Sequence, residues 1–228
     1  MMLAIPEVLS REQTLALRAD LLADRGAWVD GRATAGWQGA PVKRNLQIDE
    51  RSESAARAQG VVLAALETHP LFISAALPNR VYPPMFNRYG AGMAFGAHVD
   101  GAVRLDPCTG LKLRTDLSAT LFLSDPEDYD GGELEIADAY GVQAVKLNAG
   151  DLILYPATSL HQVTPITRGE RLASFFWVQS LVREDSRRKI LFDLDQAIQT
   201  LNLTGADEGA RAGLVGCYHN LLREWAEP

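Results

Sequence analysis

The stretch Ala97-His98-Val99-Asp100 places a histidine and a carboxylate two positions apart in the middle of the chain. On an extended strand, side chains two residues apart point to the same face, so His98 and Asp100 would lie side by side. A second histidine, His161, follows much later in the sequence. The rest of the interpretation depends on whether the fold brings His161 back to this pair.

Predicted short strands surround this stretch. Apolar and β-branched segments separated by turn residues indicate strands at 42–48, 85–89, 117–123, 133–136, 142–147, 152–155, 161–165 and 171–181. We expect 161–165 and 171–181 to form a hairpin turned at Arg168-Gly169. The segment 103–111 has little pattern and is predicted to be a loop. Closely spaced short strands are typical of a sandwich or jelly roll.

Helical patterns flank the strands on both sides. Ser10 and Gln13 fit a capping box before an apolar stripe, a second helix is expected at about 53–67, and two helices separated near Thr204-Gly205 fill about 184–225. We therefore expect an α+β fold with a mainly β core. In this interpretation, residues 1–74 support the core, residues 75–182 form a double-stranded β-helix (jelly roll), and residues 183–228 form a helical C-terminal region.

Composition excludes several classes of protein. The chain has 228 residues, 47% of them hydrophobic, which is typical of a globular protein. Its net charge of −7 disfavours nucleic acid as a partner, and its longest apolar runs are too short for a membrane span. The N-terminus lacks the pattern of a signal peptide. Cys108 and Cys217 are far apart, so we expect two reduced thiols and a cytoplasmic protein.

Two imidazoles and one carboxylate are a ligand set that suits Fe(II) and leaves coordination positions open for other molecules. Arg171 follows His161 on the predicted strands, and its guanidinium could bind a carboxylate through two hydrogen bonds. An H-x-D pattern alone is weak, however. The alternative is a hydrogen-bonded histidine at a strand end and a turn aspartate before Gly101.

Longer motifs resemble a known family. The Fe(II)- and 2-oxoglutarate-dependent dioxygenases of the prolyl-hydroxylase type are similar in the pattern Tyr89-x-x-Gly92-x-x-Phe95-x-x-His98-x-Asp100, in GGELEI at 131–136, in AGDL at 149–152, and in the spacing of His161 and Arg171. More narrowly, HVDGAVR, RTDLSATLFLSD, DGGEL, SLHQVTP and YHNLLREW resemble bacterial PKHD-type hydroxylases. The resemblance covers essentially the whole chain.

The resemblance implies a role for each matching residue. His98, Asp100 and His161 would hold Fe(II), Arg171 would bind the distal carboxylate of 2-oxoglutarate, and Tyr89 could donate its hydroxyl to the same cosubstrate. The reaction would use O₂, convert 2-oxoglutarate to succinate and CO₂, and hydroxylate a substrate. L-ascorbate would restore iron that has been oxidised in unproductive turnover.

Alternatives remain at this point. A non-catalytic jelly-roll module could bind metal and 2-oxoglutarate as a sensor, and a cupin-type isomerase or hydrolase could use the same three ligands with another metal. The substrate could be a small molecule or a peptidyl residue, and a homo-oligomer is left open. Several polar residues could orient a substrate, although for each alone we favour a surface or structural role: Lys43, Asn45, Arg80, Arg104 and Arg114. Asn87 shares a strand face with Tyr89, and lining the pocket and serving as a core amide are equal alternatives for it.

Overall fold

The structure is a computed structural model that describes residues 1–35, 39–106, 109–205 and 207–228. The helices are Arg11–Ala23 (α1), Glu53–Thr68 (α2), Pro70–Ala76 (α3), Asp185–Thr204 (α4) and Glu208–Trp225 (α5). The strands are Leu3–Ile5 (β1), Trp28–Asp30 (β2), Lys43–Arg44 (β3), Leu46–Ile48 (β4), Pro78–Val81 (β5), Met85–Tyr89 (β6), Ala94–His98 (β7), Val103–Leu105 (β8), Lys112–Arg114 (β9), Leu117–Phe122 (β10), Tyr129–Gly131 (β11), Leu134–Asp138 (β12), Gly141–Val145 (β13), Leu152–Pro156 (β14), His161–Val163 (β15), Ile166–Gly169 (β16) and Arg171–Ser180 (β17).

Two antiparallel sheets form the core. The larger has the order β1-β14-β10-β17-β6-β4-β2, with β5 also paired to β17, and the smaller has the order β13-β12-β15-β7-β3. Two short ribbons, β11-β16 and β8-β9, complete the strands described. The smaller sheet faces the long central strands of the larger one. The interior of the fold lies between the two sheets.

The central strands β10, β14 and β17 are buried on both faces. Successive residues along each strand point to opposite faces of the sheet. On β17, Leu172, Phe176 and Val178 join the apolar core that includes α1, α2 and α3. Arg171, Phe175 and Trp177 line a cavity on the opposite face. The two-residue period of a strand explains this division. The large sheet therefore rests on helices and presents polar groups to the smaller sheet.

The helices follow the sequence signals closely. Ser10 caps α1, and its capping box with Gln13 is present in both directions. The second predicted helix ends at Thr68, and a short further helix, α3, follows it because Pro70 can occupy the first turn of a new helix. The C-terminal helices separate at Gly205, which has a left-handed backbone with φ of 69°. No described helix has the length and apolar character needed to cross a bilayer.

One predicted pairing is wrong. The strand at His161 does not form a hairpin with the strand at Arg171, because β15 pairs with β7 and β12 whereas β17 pairs with β5, β6 and β10. Pro165, which has no amide hydrogen, follows the end of β15, and β16 then pairs with β11. Successive strands thus enter different sheets, so His161 and Arg171 face each other across the interior.

The segment 103–111 is also more ordered than predicted. β8 pairs with β9, with Arg104 opposite Leu113, so the predicted loop contains one strand of a hairpin. Pro107 and Cys108 lie outside the described residues, so the structure does not test the prediction that Cys108 is a reduced thiol. Cys217 is a free, exposed thiol. The hairpin β8–β9 borders the cavity between the two sheets.

Two consecutive glycines explain the DGGEL motif. Gly131 and Gly132 have φ of 73° and 68°, a left-handed conformation that favours glycine. A Cβ on Gly131 would lie 2.1 Å from the carbonyl oxygen of Pro165, and one on Gly132 would lie 2.2 Å from Ile166. The motif therefore serves the close approach of β11 to the chain around β16.

Candidate metal centre

Two neighbouring strands of the smaller sheet bring the histidines together. His98 ends β7, His161 begins β15, and the two residues are direct partners in the antiparallel ladder. Their ring centroids are 4.2 Å apart. Asp100 lies just beyond the end of β7, and its carboxylate oxygens are 4.0 Å from His98 Nε2 and 3.7 Å from His161 Nε2. One potential ligand atom from each residue falls within 4.8 Å of the others.

Hydrogen bonds orient all three side chains. His98 Nδ1 lies 2.8 Å from the carbonyl oxygen of Gly96, and His161 Nδ1 lies 3.0 Å from that of Ser159. A carbonyl can only accept, so Nδ1 carries the hydrogen in each ring and Nε2 is left with a free lone pair. The hydroxyl of Ser118 donates to Asp100 Oδ2 at 2.6 Å. Such outer contacts are typical of side chains that bind metal.

Burial keeps His98 neutral. Desolvation first, and then the neighbouring His161, lower the pKa of His98 to about 4. Phe95 stacks on the same ring with centroids 3.7 Å apart and the planes inclined by 19°. A neutral imidazole is the form that binds a metal, so the donor set of two imidazole nitrogens and one carboxylate fits Fe(II).

Arg171 and Tyr89 lie on the wall opposite this cluster. They are direct partners on β17 and β6, and each is 1% exposed. Arg171 Nε and Nη1 have no hydrogen-bond partner among the described residues, and no described carboxylate forms an ion pair with the guanidinium. Burial raises the pKa of Tyr89 to about 12, so its hydroxyl stays protonated as a donor. The unpaired Nε and Nη1 donors of Arg171 fit an anionic ligand such as 2-oxoglutarate.

A single cavity contains all five predicted site residues. It has a volume of about 770 Å³ and lies between the two sheets, with His98, Asp100 and His161 on one side and Tyr89 and Arg171 on the other. This volume is within the range of small-molecule sites in proteins. The structure therefore brings the five residues to one space.

Sequence reasoning missed other residues of this cavity. Tyr155 lines it from β14, and its ring centroid lies 5.3 Å from that of His161. Burial raises the pKa of Tyr155 well above its ordinary value. Ser118, Thr120 and Trp177 also line the cavity. The alternation of β10, β14 and β17 could have identified these positions, had the sheet order been known.

The remaining candidates divide into two groups. Lys43, Arg104 and Asn87 line the cavity. Arg80 is exposed, Asn45 is buried, and Arg114 pairs with Asp116 and Glu227 at 2.7 and 3.1 Å. The prediction of a surface or structural role therefore fits Arg80 and Arg114, whereas Lys43 and Arg104 belong to the interior of the site.

Comparison with known proteins now identifies the family. Residues 84–179 match the 2OG-Fe(II) oxygenase superfamily, and residues 185–227 match the PKHD-type hydroxylase C-terminal domain. The chain is 67% identical over 227 residues to a PKHD-type hydroxylase of Cupriavidus metallidurans, and the match covers 100% of both chains. The chain belongs to the PKHD-type hydroxylase family. It is therefore an oxygenase of the hydroxylase type, and its family implies the use of Fe(II), 2-oxoglutarate and O₂.

Solved structures confirm the predicted jelly-roll fold of this PKHD-type hydroxylase. A Pseudomonas putida prolyl-4-hydroxylase matches with a TM-score of 0.53 and 23% identity, over 78% of this chain and 92% of that one. A Trichoplax adhaerens prolyl hydroxylase, solved with a peptide fragment of the hypoxia inducible factor oxygen degradation domain, matches with a TM-score of 0.56 and 15% identity. That match covers 83% of this chain and 86% of the other.

Proposed function

We propose that this PKHD-type hydroxylase converts a C–H bond of its substrate to C–OH, with O₂ consumed and 2-oxoglutarate converted to succinate and CO₂. His98, Asp100 and His161 would hold the Fe(II), and Arg171 and Tyr89 would hold the cosubstrate. When bound, iron and 2-oxoglutarate together supply an oxidant strong enough to attack an unactivated C–H bond. The protein contributes placement of the reactants and exclusion of water.

The observation that carries this proposal is the state of Arg171. A guanidinium that is 1% exposed and has no carboxylate partner among the described residues costs considerable free energy in the folded protein. A dicarboxylate that spans the cavity from the His98/Asp100/His161 cluster would supply the missing partner. A cupin-type isomerase or hydrolase would have no use for such an arginine.

The polar wall around Arg171 would orient the cosubstrate. Tyr89 is the ladder partner of Arg171, and Tyr155 on β14 is the ladder partner of Ser118 on β10. Both phenols keep their protons because burial raises the pKa of each. They can therefore donate hydrogen bonds to carboxylate oxygens without adding negative charge. Ser118 would hold Asp100 in the orientation needed for metal binding.

The proposal is tested by adding Fe(II) and 2-oxoglutarate to the protein without oxygen. We expect a weak visible charge-transfer band that disappears in the His98→Ala and His161→Ala variants. On admission of oxygen, succinate should form slowly even without substrate, and L-ascorbate, proposed as a reductant, should prolong its formation. Exposed His219→Ala is the matched control and should keep both signals. A folded protein with no band and no succinate would contradict the proposal, and a band without succinate would favour a sensing module.

The substrate is proposed to be a small molecule or a peptidyl residue, in a cytoplasmic protein. We also propose residues 75–182 as the catalytic unit, with 1–74 as its support and 183–228 as a helical extension. The oxygenase match ends at residue 179 and the C-terminal-domain match begins at residue 185, which supports the boundary between the last two segments.

A further inference from the structure

A second cationic group lies in the cavity, on the hairpin β8–β9. The guanidinium of Arg104 stacks over the ring of Trp177, with its Cζ 3.8 Å from the ring centroid, and lies 5.8 Å from the ring of Tyr82. Arg104 and Trp177 both line the cavity. Stacking fixes the plane of a guanidinium and leaves the N–H groups at its edge free to bind oxygen atoms. No described carboxylate lies within 4.0 Å of this guanidinium.

A third cationic group, Lys43, enters the cavity from β3. The side chain is 3% exposed, and its Nζ lies 2.5 Å from Gln47 Oε1 and 3.2 Å from Thr34 Oγ1. The ammonium also lies over the rings of Phe95 and Phe175, at 5.1 and 5.7 Å from their centroids. Its contacts are therefore neutral, and no described carboxylate is within 4.0 Å.

Lys43 and Arg104 influence each other electrostatically. Burial first, and then the charge of Arg104, lower the pKa of Lys43 to about 8, so the ammonium is still mainly protonated at pH 7. Asp100, Asp30 and Glu50 raise the pKa of Lys43, but by less. Two like charges in a partly buried space are unfavourable unless an anion joins them.

The charges of the site do not balance after metal and cosubstrate are counted. Among the described residues that line the cavity, those that carry a charge are the cations Lys43, Arg104 and Arg171 and the carboxylate Asp100. A divalent metal adds two positive charges and 2-oxoglutarate adds two negative ones. Two positive charges remain in a protein whose net charge is −7. This local excess of positive charge favours the binding of a further anion in the cavity.

The side of the cavity at Trp177 also has an unused hydrogen-bond donor. Trp177 is 2% exposed, and its indole Nε1 has no partner among the described residues. Buried donors in native proteins nearly always have an acceptor. An anionic oxygen group beside Arg104 would provide one.

We propose that Lys43, Arg104 and the indole of Trp177 form a binding subsite for an anionic oxygen group, a carboxylate or phosphate, on the substrate to be hydroxylated. This inference rests on the proposed function, because it assigns the metal and Arg171 to the cosubstrate. The substrate class is thus acidic: a molecule that presents an anionic group to these donors while a C–H bond reaches the metal.

The test uses the protein loaded with Mn(II) in place of Fe(II) and saturated with 2-oxoglutarate, which occupies Arg171. Acetate and methyl phosphate serve as anionic probes and acetamide as the neutral probe, and the measurement is paramagnetic relaxation of the methyl protons. We expect enhanced relaxation of at least one anion, reduced at least about fivefold in Lys43→Met and Arg104→Met. Acetamide should show little enhancement.

Neighbouring residues provide matched controls. Arg44 follows Lys43 but is exposed, and Lys112 lies on the partner strand of Arg104 and is also exposed. With Arg44→Met and Lys112→Met, the relaxation enhancement of the probe methyl protons should equal that with the wild type. Lys43→Arg, which keeps the charge, should retain the effect. If Lys43→Met fails to fold, Lys43→Gln and the Arg104 variant carry the comparison.

Three results would overturn the inference. The first is equal relaxation of the anionic probes in the wild type, Lys43→Met and Arg104→Met, which would show that the anion binds the metal itself. The second is equal relaxation of acetamide and the anions. The third is a loss of 2-oxoglutarate affinity in the variants, which would assign the cations to the cosubstrate. Binding of Mn(II) and 2-oxoglutarate is measured first, so failure of the proposed function is recognised separately.

Discussion

Arg171 and Arg188 are both almost fully buried, yet their surroundings differ. Arg188 donates to the carbonyl oxygens of Val182 and Arg183, at 2.7 and 2.6 Å, and pairs with Asp185 at 3.0 Å. Arg171 has cation–π contacts with Tyr89 and Phe122 and orphaned donors. Nε lacks a partner in both residues, but the protein supplies acceptors to both terminal nitrogens of Arg188 and leaves Nη1 of Arg171 without one.

This difference predicts opposite effects of the same substitution. Arg188→Met should destabilise the protein by about 3 kcal/mol, because it leaves buried acceptors without a donor. Arg171→Met should leave the ligand-free protein as stable or make it more stable. It should weaken 2-oxoglutarate binding by about 2–5 kcal/mol, or about 30-fold or more.

Thermal unfolding of each variant, with and without Mn(II) and 2-oxoglutarate, measures both effects. A ligand that binds only the native state raises the unfolding temperature, and Arg188→Met should keep this rise. An equal rise in Arg171→Met and the wild type would show that the guanidinium does not bind the cosubstrate.

At the residue scale, the sequence revealed the groups with distinctive chemistry. Residue type and spacing predicted His98, Asp100, His161 and Arg171, and the family resemblance added Tyr89. The structure places all five around one cavity. Their roles stay predictions until ligand binding is measured. For Lys43 and Arg104 a surface or structural role was favoured, because nothing in their local sequence shows that β3 and β8 border the cavity.

At the element scale, the approach of β11 to the chain before β16 depends on glycine. Gly131 combines a left-handed backbone with a Cβ position 2.1 Å from a carbonyl oxygen of the main chain. That oxygen belongs to Pro165 and cannot move as a flexible side chain would. The glycine is thus required both by its backbone conformation and by close packing.

Gly131→Ala should therefore destabilise the protein by at least about 2 kcal/mol. Gly213→Ala is the control, because Gly213 lies inside α5 with no atom near the added Cβ. Alanine there should stabilise the helix by about 0.5–1 kcal/mol. Urea denaturation of both variants gives the comparison, and similar free energies of unfolding for the two would refute it.

Prediction of elements succeeded where the signal is local. The capping box at Ser10, the strand Met85–Tyr89 and the helix break at Gly205 each depend on a few neighbouring residues. The hairpin predicted between the strands at His161 and Arg171 was wrong because adjacent strands in a sequence resemble a hairpin whether they share a sheet or not. Only the long-range pairing of β17 with β6 and β10 decides that point.

At the scale of the whole molecule, the C-terminal helices lie apart from the cavity. α5 contributes no buried residue, and Tyr218, Leu221, Leu222 and Trp225 pack partly buried against a small core of Leu77, Val182 and Leu191. The backbone amide of Glu227 donates to Leu181 at 2.7 Å. None of these residues lines the cavity. α5 therefore packs against the fold and contributes no residue to the lining of the cavity.

A chain that ends at Gly205 should unfold at a lower temperature, because removal of α5 exposes apolar surface worth several kcal/mol. It should still bind Mn(II) and 2-oxoglutarate with affinities within about twofold of the full chain, as measured by calorimetry. Trp225→Ala in the full chain should lower the stability less than the truncation does, and it allows the same comparison of Mn(II) and 2-oxoglutarate affinities with the wild type. A folded Trp225→Ala protein that has lost 2-oxoglutarate binding would contradict this separation.

At this scale, the sequence predicted the jelly roll with its helical flanks, and similarity to solved structures confirms it. The order of the strands could not be predicted, because it is set by side chains that meet across the interior. The division at residues 74 and 182 stays a prediction.

The direct pairing of His98 with His161 makes metal affinity sensitive to strand alignment. A shift of one residue between β7 and β15 would turn one imidazole away from the other, because neighbouring side chains on a strand point to opposite faces. A metal ion can thus bind both rings only when the two strands are correctly aligned. Metal titration can therefore report whether a variant of this sheet has kept its register, without a new structure.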